Sequence, residues 1–321
     1  MKTRKLLSLL IVTILCVTLF AACEAQPQTE QKTQTLQLDG GYTYVGEVEN
    51  GQPNGQGTLT DELGSEWKGT FVGGKLNGYG TYIGYDLVEY EGTFKDGKFD
   101  GMGVENYANG DVYMGEFKEG IPEGVGRMEF TTGCFYEGGW KNGNMEGLGW
   151  MTWPVGDAYF GEWEGGVPKG FGCKIFFDPS IASCRKGDYT TYNKYVGEMV
   201  NNLPNGMGIM FFQASGGIFY GNFENGIRND NHGVYYFEKG VEFVKFEGSF
   251  SAQMNNGWIW GEGTMWYSDG TVVTGTWEGT ECVNVTSTTQ VNLNSVVQEI
   301  DTALQTFNEN PILEQTLTFL G

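Results

Sequence analysis

Histidine is nearly absent: there is one in 321 residues. Ser-His-Asp and Cys-His catalysis need an imidazole placed beside a nucleophile, and nothing flanking His232 supplies one. Asp230 and His232 alone make no metal site, and no cysteines stand in a CxxC-like spacing, which argues against zinc. Basic residues are scarce, with 19 Lys plus Arg against 40 Asp plus Glu and a net charge of −21. Nucleic acid is thereby excluded as a partner, because binding it requires cations to neutralise phosphates. Direct adhesion to anionic lipid is disfavoured for the same reason. With so many carboxylates, acidic pairs such as Glu47 and Glu49 arise without function, so no glycosidase-type role is assigned. No catalytic residue and no cofactor is expected.

What the chain has is glycine, 52 residues of it, and aromatic residues at 15%. Both are distributed periodically. An aromatic-x-Gly-x-aromatic unit starts at Tyr44, Trp67, Tyr90, Tyr113, Tyr136 and Tyr159, each 23 residues after the last. It recurs with irregular spacing at Tyr195, Phe219, Phe246 and Val273. The period of two puts ring, glycine and ring on one face of a strand. Glycine in a strand signals close approach by another group, here a ring from a neighbouring strand. The residues between, such as Glu47, Lys68, Thr70, Glu91, Glu116 and Glu162, suit a wet opposite face. Asn50-Gly51, Asp96-Gly97 and Asn142-Gly143 then read as tight hairpin turns. Gly-x-Gly pairs, as at Gly78 and Gly80 or Gly101 and Gly103, open the second strand and not a helix, so they are not phosphate loops.

This unit resembles the membrane occupation and recognition nexus (MORN) repeat, Y-x-G-x-[FW]-x-N-G-x-x-x-G-x-G, from about Tyr42 to Cys282. The resemblance implies an all-β fold: an elongated, solenoid-like single sheet of about ten stacked antiparallel hairpins. About 20 strands at about 4.8 Å each would span roughly 90 Å. Each hairpin would depend on its neighbours for stability. The eighth copy departs from the pattern, with Asp230 and His232 where Gly-x-Gly is expected, and the tenth stops after one strand.

Four segments flank or interrupt the array. Residues 1–22 carry Lys2, Arg4 and Lys5, then an apolar run Leu6–Phe20 that is short for a membrane span. Phe20-Ala21-Ala22-Cys23 resembles a bacterial lipobox, which implies lipid attachment at Cys23 and an extracytoplasmic, membrane-anchored protein; the alternative is an ordinary cleaved signal. Residues 23–41, poor in apolar side chains, read as a flexible tether. The array at 42–282 is broken by an insertion at 178–194, bracketed by Cys173 and Cys184, which an oxidising compartment would allow to pair. Free, half-buried thiols are the alternative. In 283–321 a linker precedes an amphipathic helix, with a capping box at Ser295 and Gln298 and a stop at Pro311; its expected role is to cap the last hairpin.

The expected function is a non-catalytic, lipid-anchored scaffold or protein-binding module at the cell envelope. A cell-wall glycan-binding module is the alternative, and an enzyme using the insertion or the degenerate copies comes last. Off-stripe rings Phe160, Tyr220, Trp258 and Trp260 are the expected exposed binding residues.

Overall fold

The computed structural model describes residues 33–177, 192–251 and 258–320. Cys23, the N-terminal signal, most of the insertion and Cys184 lie outside the described residues. Within them, 22 strands form one antiparallel sheet in which strands pair with their neighbours along the chain. Two helices follow, α1 (Asn294–Asn308) and α2 (Pro311–Leu320).

The two-residue turns follow the expected chemistry. Asn50 and Gly51, Asp96 and Gly97, and Asn142 and Gly143 all have positive φ, as type I′ turns demand. Asn201-Asn202, which lacks the glycine, adopts the same conformation at φ 50° and 66°. Asparagine tolerates that region better than most residues.

The two glycines of each Gly-x-Gly serve different purposes. The first bends the strand. In the second copy the register jumps from Gly69↔Gly80 to Phe71↔Leu76, a bulge, and Gly78 inside it has φ 80°. The second lies under a ring. A Cβ on Gly103 would stand 2.4 Å from Tyr90 Cε2. Gly92, which faces Gly103, is equally crowded. The covering ring therefore belongs to the same repeat, lying over its own strand's glycine and the paired one.

That tyrosine is then fixed at both ends. Its hydroxyl donates to the backbone carbonyl three residues on: Tyr44 to Glu47 at 2.9 Å, Tyr113 to Glu116 at 3.0 Å, Tyr195 to Glu198 at 2.8 Å. Its ring meets the second ring of the next copy edge to face, as in Tyr113–Trp140 and Tyr136–Trp163, both 5.0 Å between centroids. Trp140 and Trp163 also donate their indole N–H to Gly126 and Gly149 carbonyls, both at 3.1 Å. The buried polar ends are thus satisfied and the copies are coupled in series.

Several expectations are corrected. Gln34–Leu38 is a strand paired with Tyr42–Glu49, so the tether does not extend to residue 41. Leu36 and Leu38 alternate onto the ring face, and Gly40 and Gly41 turn the chain. The tenth copy is a full hairpin, because Glu281–Gln290 pairs with Thr271–Glu278. The helices do not cap the sheet's end. They fold back across its second face, α1 onto Ile218 and Tyr236 through Val296 and Ile300, and α2 toward Cys173 and Ile175 through Leu313. The wet face is accordingly wet only in part. The register row Trp150, Phe160, Cys173, Val196, Ile209 runs across adjacent strands as an apolar strip and receives the helices.

The capping box does not form: α1 has no side-chain cap. Asn310 instead caps α2, accepting from the N–H groups of Ile312 (3.0 Å) and Leu313 (3.3 Å), and Pro311 opens that helix at the position proline favours. Lys245, with its side chain 8% exposed, ties α1 down by bonding Glu299 and Glu247, both at 3.0 Å.

Candidate functional site

The sheet offers two faces of different chemistry. On the ring face the first-row tyrosines are buried and available to nothing. Beside them run partly buried rings that solvent reaches, including Trp67, Tyr82, Tyr107, Phe130, Trp153 and Phe176. The last four recur every 23 residues at the second turn of each copy. There Tyr107, Phe130 and Trp153 donate their N–H to the carbonyls of Asp111, Cys134 and Asp157. That series was visible in the sequence as a further 23-residue aromatic period. Two ionisable groups interrupt the neighbouring row. Glu105 is nearly buried, and burial raises its carboxyl pKa above the ordinary range. Lys174 donates to the Asn202 carbonyl and side chain at 2.8 and 2.9 Å and lies over Trp153 and Phe176; burial lowers its pKa.

The degenerate eighth copy is repaired by Arg228. Its guanidinium lies 4.6–5.8 Å from the rings of Phe212, Phe219, Tyr235, Phe250 and Trp258. Burial lowers its pKa to about 10. The cation adds to the ring-on-ring packing there, where Phe219 still meets Phe250 edge to face at 4.8 Å.

The four off-stripe rings do not form one site. Phe160 packs in the cluster beneath the helices. Trp258 packs on the ring face, 5.2 Å from Tyr235. Both correct the expectation that they are exposed. Tyr220 is exposed on the second face, opposite Ile209 and Val234. Trp260 is half-buried and opposite Glu278. Cys173 is a free thiol with no exposure, so it is not a staple for the insertion. It bonds Thr316 of α2, and burial pushes its pKa up to about 12.

His232 borders a shallow polar depression of about 320 Å³ with Asn222, Asn229, Asp230 and Asn231. Asp230 is occupied in bracing the loop: its carboxylate accepts from the N–H groups of Asn222 (2.7 Å) and His232 (2.8 Å). No cluster of His, Cys, Asp and Glu able to hold a metal occurs among the described residues.

The family model for the MORN repeat matches residues 44–62, 67–86, 90–112, 113–135, 136–158, 159–178, 195–214 and 250–272, more than half of the chain. The chain belongs to the MORN repeat family. Eight copies are matched in this way, and the hairpins beginning at Gly217 and Thr271 complete the same sheet. MORN arrays of this kind are repeat-based binding or scaffold modules. No curated protein matches the MORN chain in sequence. Among solved structures, the TCP domain of SAS-4 from Drosophila melanogaster, in complex with a proline-rich motif of Ana2, is similar at 9% identity over 85% of this chain and 98% of that one, with a TM-score of 0.18. A catalytically inactive virginiamycin B lyase from Staphylococcus aureus with quinupristin is similar at 11% identity over 79% and 95%, with a TM-score of 0.14. Scores this low carry no argument about the MORN chain's activity.

Proposed function

We propose that this protein is a non-catalytic MORN scaffold that binds a protein partner on its ring face and is held at the bacterial cell envelope by lipid on Cys23. The observation that supports partner binding is the set of half-buried rings Tyr107, Phe130, Trp153 and Phe176 at one repeat position, preceded by Trp67 and Tyr82 and backed by a packed layer of tyrosines. Rigid rings that keep part of their surface in solvent are the usual anchors of protein recognition. The Phe20-Ala21-Ala22-Cys23 motif supports the lipid anchor. The cationic n-region and apolar run before it agree with export.

The test is a pull-down from solubilised envelope extract, with purified cell-wall material in parallel, using the wild-type chain and a Trp67→Ala, Tyr82→Ala variant. A protein retained by the wild type and lost by the variant supports the scaffold. Retention on protein-free wall material instead favours a glycan-binding module. Separately, the wild-type chain should incorporate labelled palmitate and its Cys23→Ser variant should not; no incorporation by the wild type would refute the anchor.

A further inference from the structure

The second face carries an apolar row that the helices leave open. The middle residue of Gly-x-Gly is Tyr79, Met102, Val125, Leu148, Phe171 and Met207 in six successive copies, and each is 42–64% exposed. The row is bounded by polar residues at the same repeat position, Gln56 before it and Asn231 after it. Between its members, in register across the sheet, stand Thr93, Glu116, Gly139, Glu162 and Glu198. Scattered surface apolar residues need no explanation, but six at one repeat position form a line.

We propose that this row docks a basic amphipathic helix of a partner protein. Continuity with an existing interface is the first argument. Leu148 and Phe171 stand two residues from Trp150 and Cys173 on the same strands, and those residues already lie beneath the chain's own helices. The second is charge. Glu116, Glu162 and Glu198 are exposed between the apolar members, so Lys or Arg beside the partner's stripe would be complementary. The same carboxylates would face one another in a self-dimer, which disfavours a second copy as the occupant.

Spacing is the third argument. Row members sit two strands apart, about 9.6 Å, and residues seven apart on a helix recur on one face at about 10.5 Å. An extended strand presents one face every 6.8 Å or so and falls out of step. A polyproline segment repeats at about 9.3 Å, but its docking grooves are lined by aromatics, and four of the six residues here are not aromatic. The full row spans about 48 Å, the length of a helix of about 32 residues.

The probe is a fluorescein-labelled synthetic helix of about 32 residues, with five Leu at seven-residue intervals to meet five of the six row members, Lys beside each Leu and Ala and Gln elsewhere. Fluorescence anisotropy is read against the full chain, its Val125→Asp, Leu148→Asp variant, and the ring-face variant Trp67→Ala. Saturable binding is expected, weakened at least tenfold in the Asp variant and unchanged in Trp67→Ala. The added Asp residues make the surface more acidic, so loss of binding to a basic peptide isolates the apolar contact. Met102→Asp repeats the test at another copy, and circular dichroism confirms that each variant folds. No saturable binding overturns the proposal, as does equal binding by the Asp variant. Equal binding by a peptide with Glu in place of Lys, or by a proline-repeat peptide, also overturns it. A wild-type dimer in light scattering that the Asp variant disperses would assign the row to self-association instead.

Discussion

The ring of Phe307 on α1 lies 5.9 Å, centroid to centroid, from the ring of Phe211 on the strand Leu203–Phe212, with the two planes 26° apart. Phe307 follows the last strand of the chain, yet it packs on the middle of the sheet. The C-terminal helices are therefore part of the sheet's core and not an appendage to its last hairpin. Removing this side chain leaves a cavity between helix and sheet. Phe307→Ala should cost about 3–5 kcal/mol, the usual range for a buried phenylalanine. Urea unfolding followed at 222 nm, where the helices contribute, checks it. A cost below about 1 kcal/mol would mean that the helices are not docked in this way.

The same helix pair shields Cys173, through Leu313 and Thr316 of α2. Its thiol has no exposure and a pKa near 12, so at pH 8 it should resist iodoacetamide. Removing residues 292–321 uncovers it. Peptide mapping should then show Cys173 alkylated at least tenfold faster in the truncated chain, while Cys134, on the ring-face side, changes little. Equal rates in the two proteins would contradict the buried arrangement.

The repeat, its hairpins and the ring-glycine-ring stripe were legible because each rests on local chemistry: a period of two, a turn that needs positive φ, a glycine that needs a reason. The return of the helices was not. Its sign was spread over distant residues. In the early copies the second-face row reads Lys68, Thr81, Glu91, whereas later it reads Trp150, Phe160, Cys173, Val196, Ile209. Only the pairing register shows that these later residues form one strip, which meets Phe307 and Leu313. Phe160 looked like a free ring for the same reason: the side chains that cover it come from more than 100 residues away. At Trp258 the missing information was Arg228, whose place among five rings has no counterpart in the repeat pattern.

The two glycines of one motif should respond differently to alanine. A Cβ at Gly103 would meet Tyr90, whose ring cannot retreat because Phe99 is stacked on it at 3.7 Å with Phe94 and Phe117 at its edges. At Gly78 a Cβ would meet nothing within 4 Å, and only the φ of 80° opposes the change. Gly103→Ala should therefore destabilise by more than about 3 kcal/mol, as overpacking a core does at its upper end. Gly78→Ala should cost about 1–2 kcal/mol, the strain of a left-handed residue. Thermal melts of the two variants should differ clearly, with Gly103→Ala the lower. Equal melting temperatures would mean that the ring does not hold the glycine.

Glu105 gives the pH prediction. It occupies a ring-face position filled by Met128 and Met151 in the next two copies, and its carboxyl accepts from the Tyr107 hydroxyl. Burial raises its pKa, while the hydrogen bond from Tyr107 lowers it by less. The folded chain therefore holds this proton to a higher pH than the unfolded chain does. Stability contributed by the site is present below the ordinary glutamate pKa and is lost as pH rises through the raised one. Gln in its place keeps an acceptor for Tyr107 and carries no charge to desolvate. Glu105→Gln should melt higher than the wild type at pH 7, and the gap should close as the pH is lowered to about 3.5. Melting curves at both pH values decide it. A variant less stable than the wild type at pH 7 would show that the carboxylate is stabilised there by a contact worth more than its burial costs.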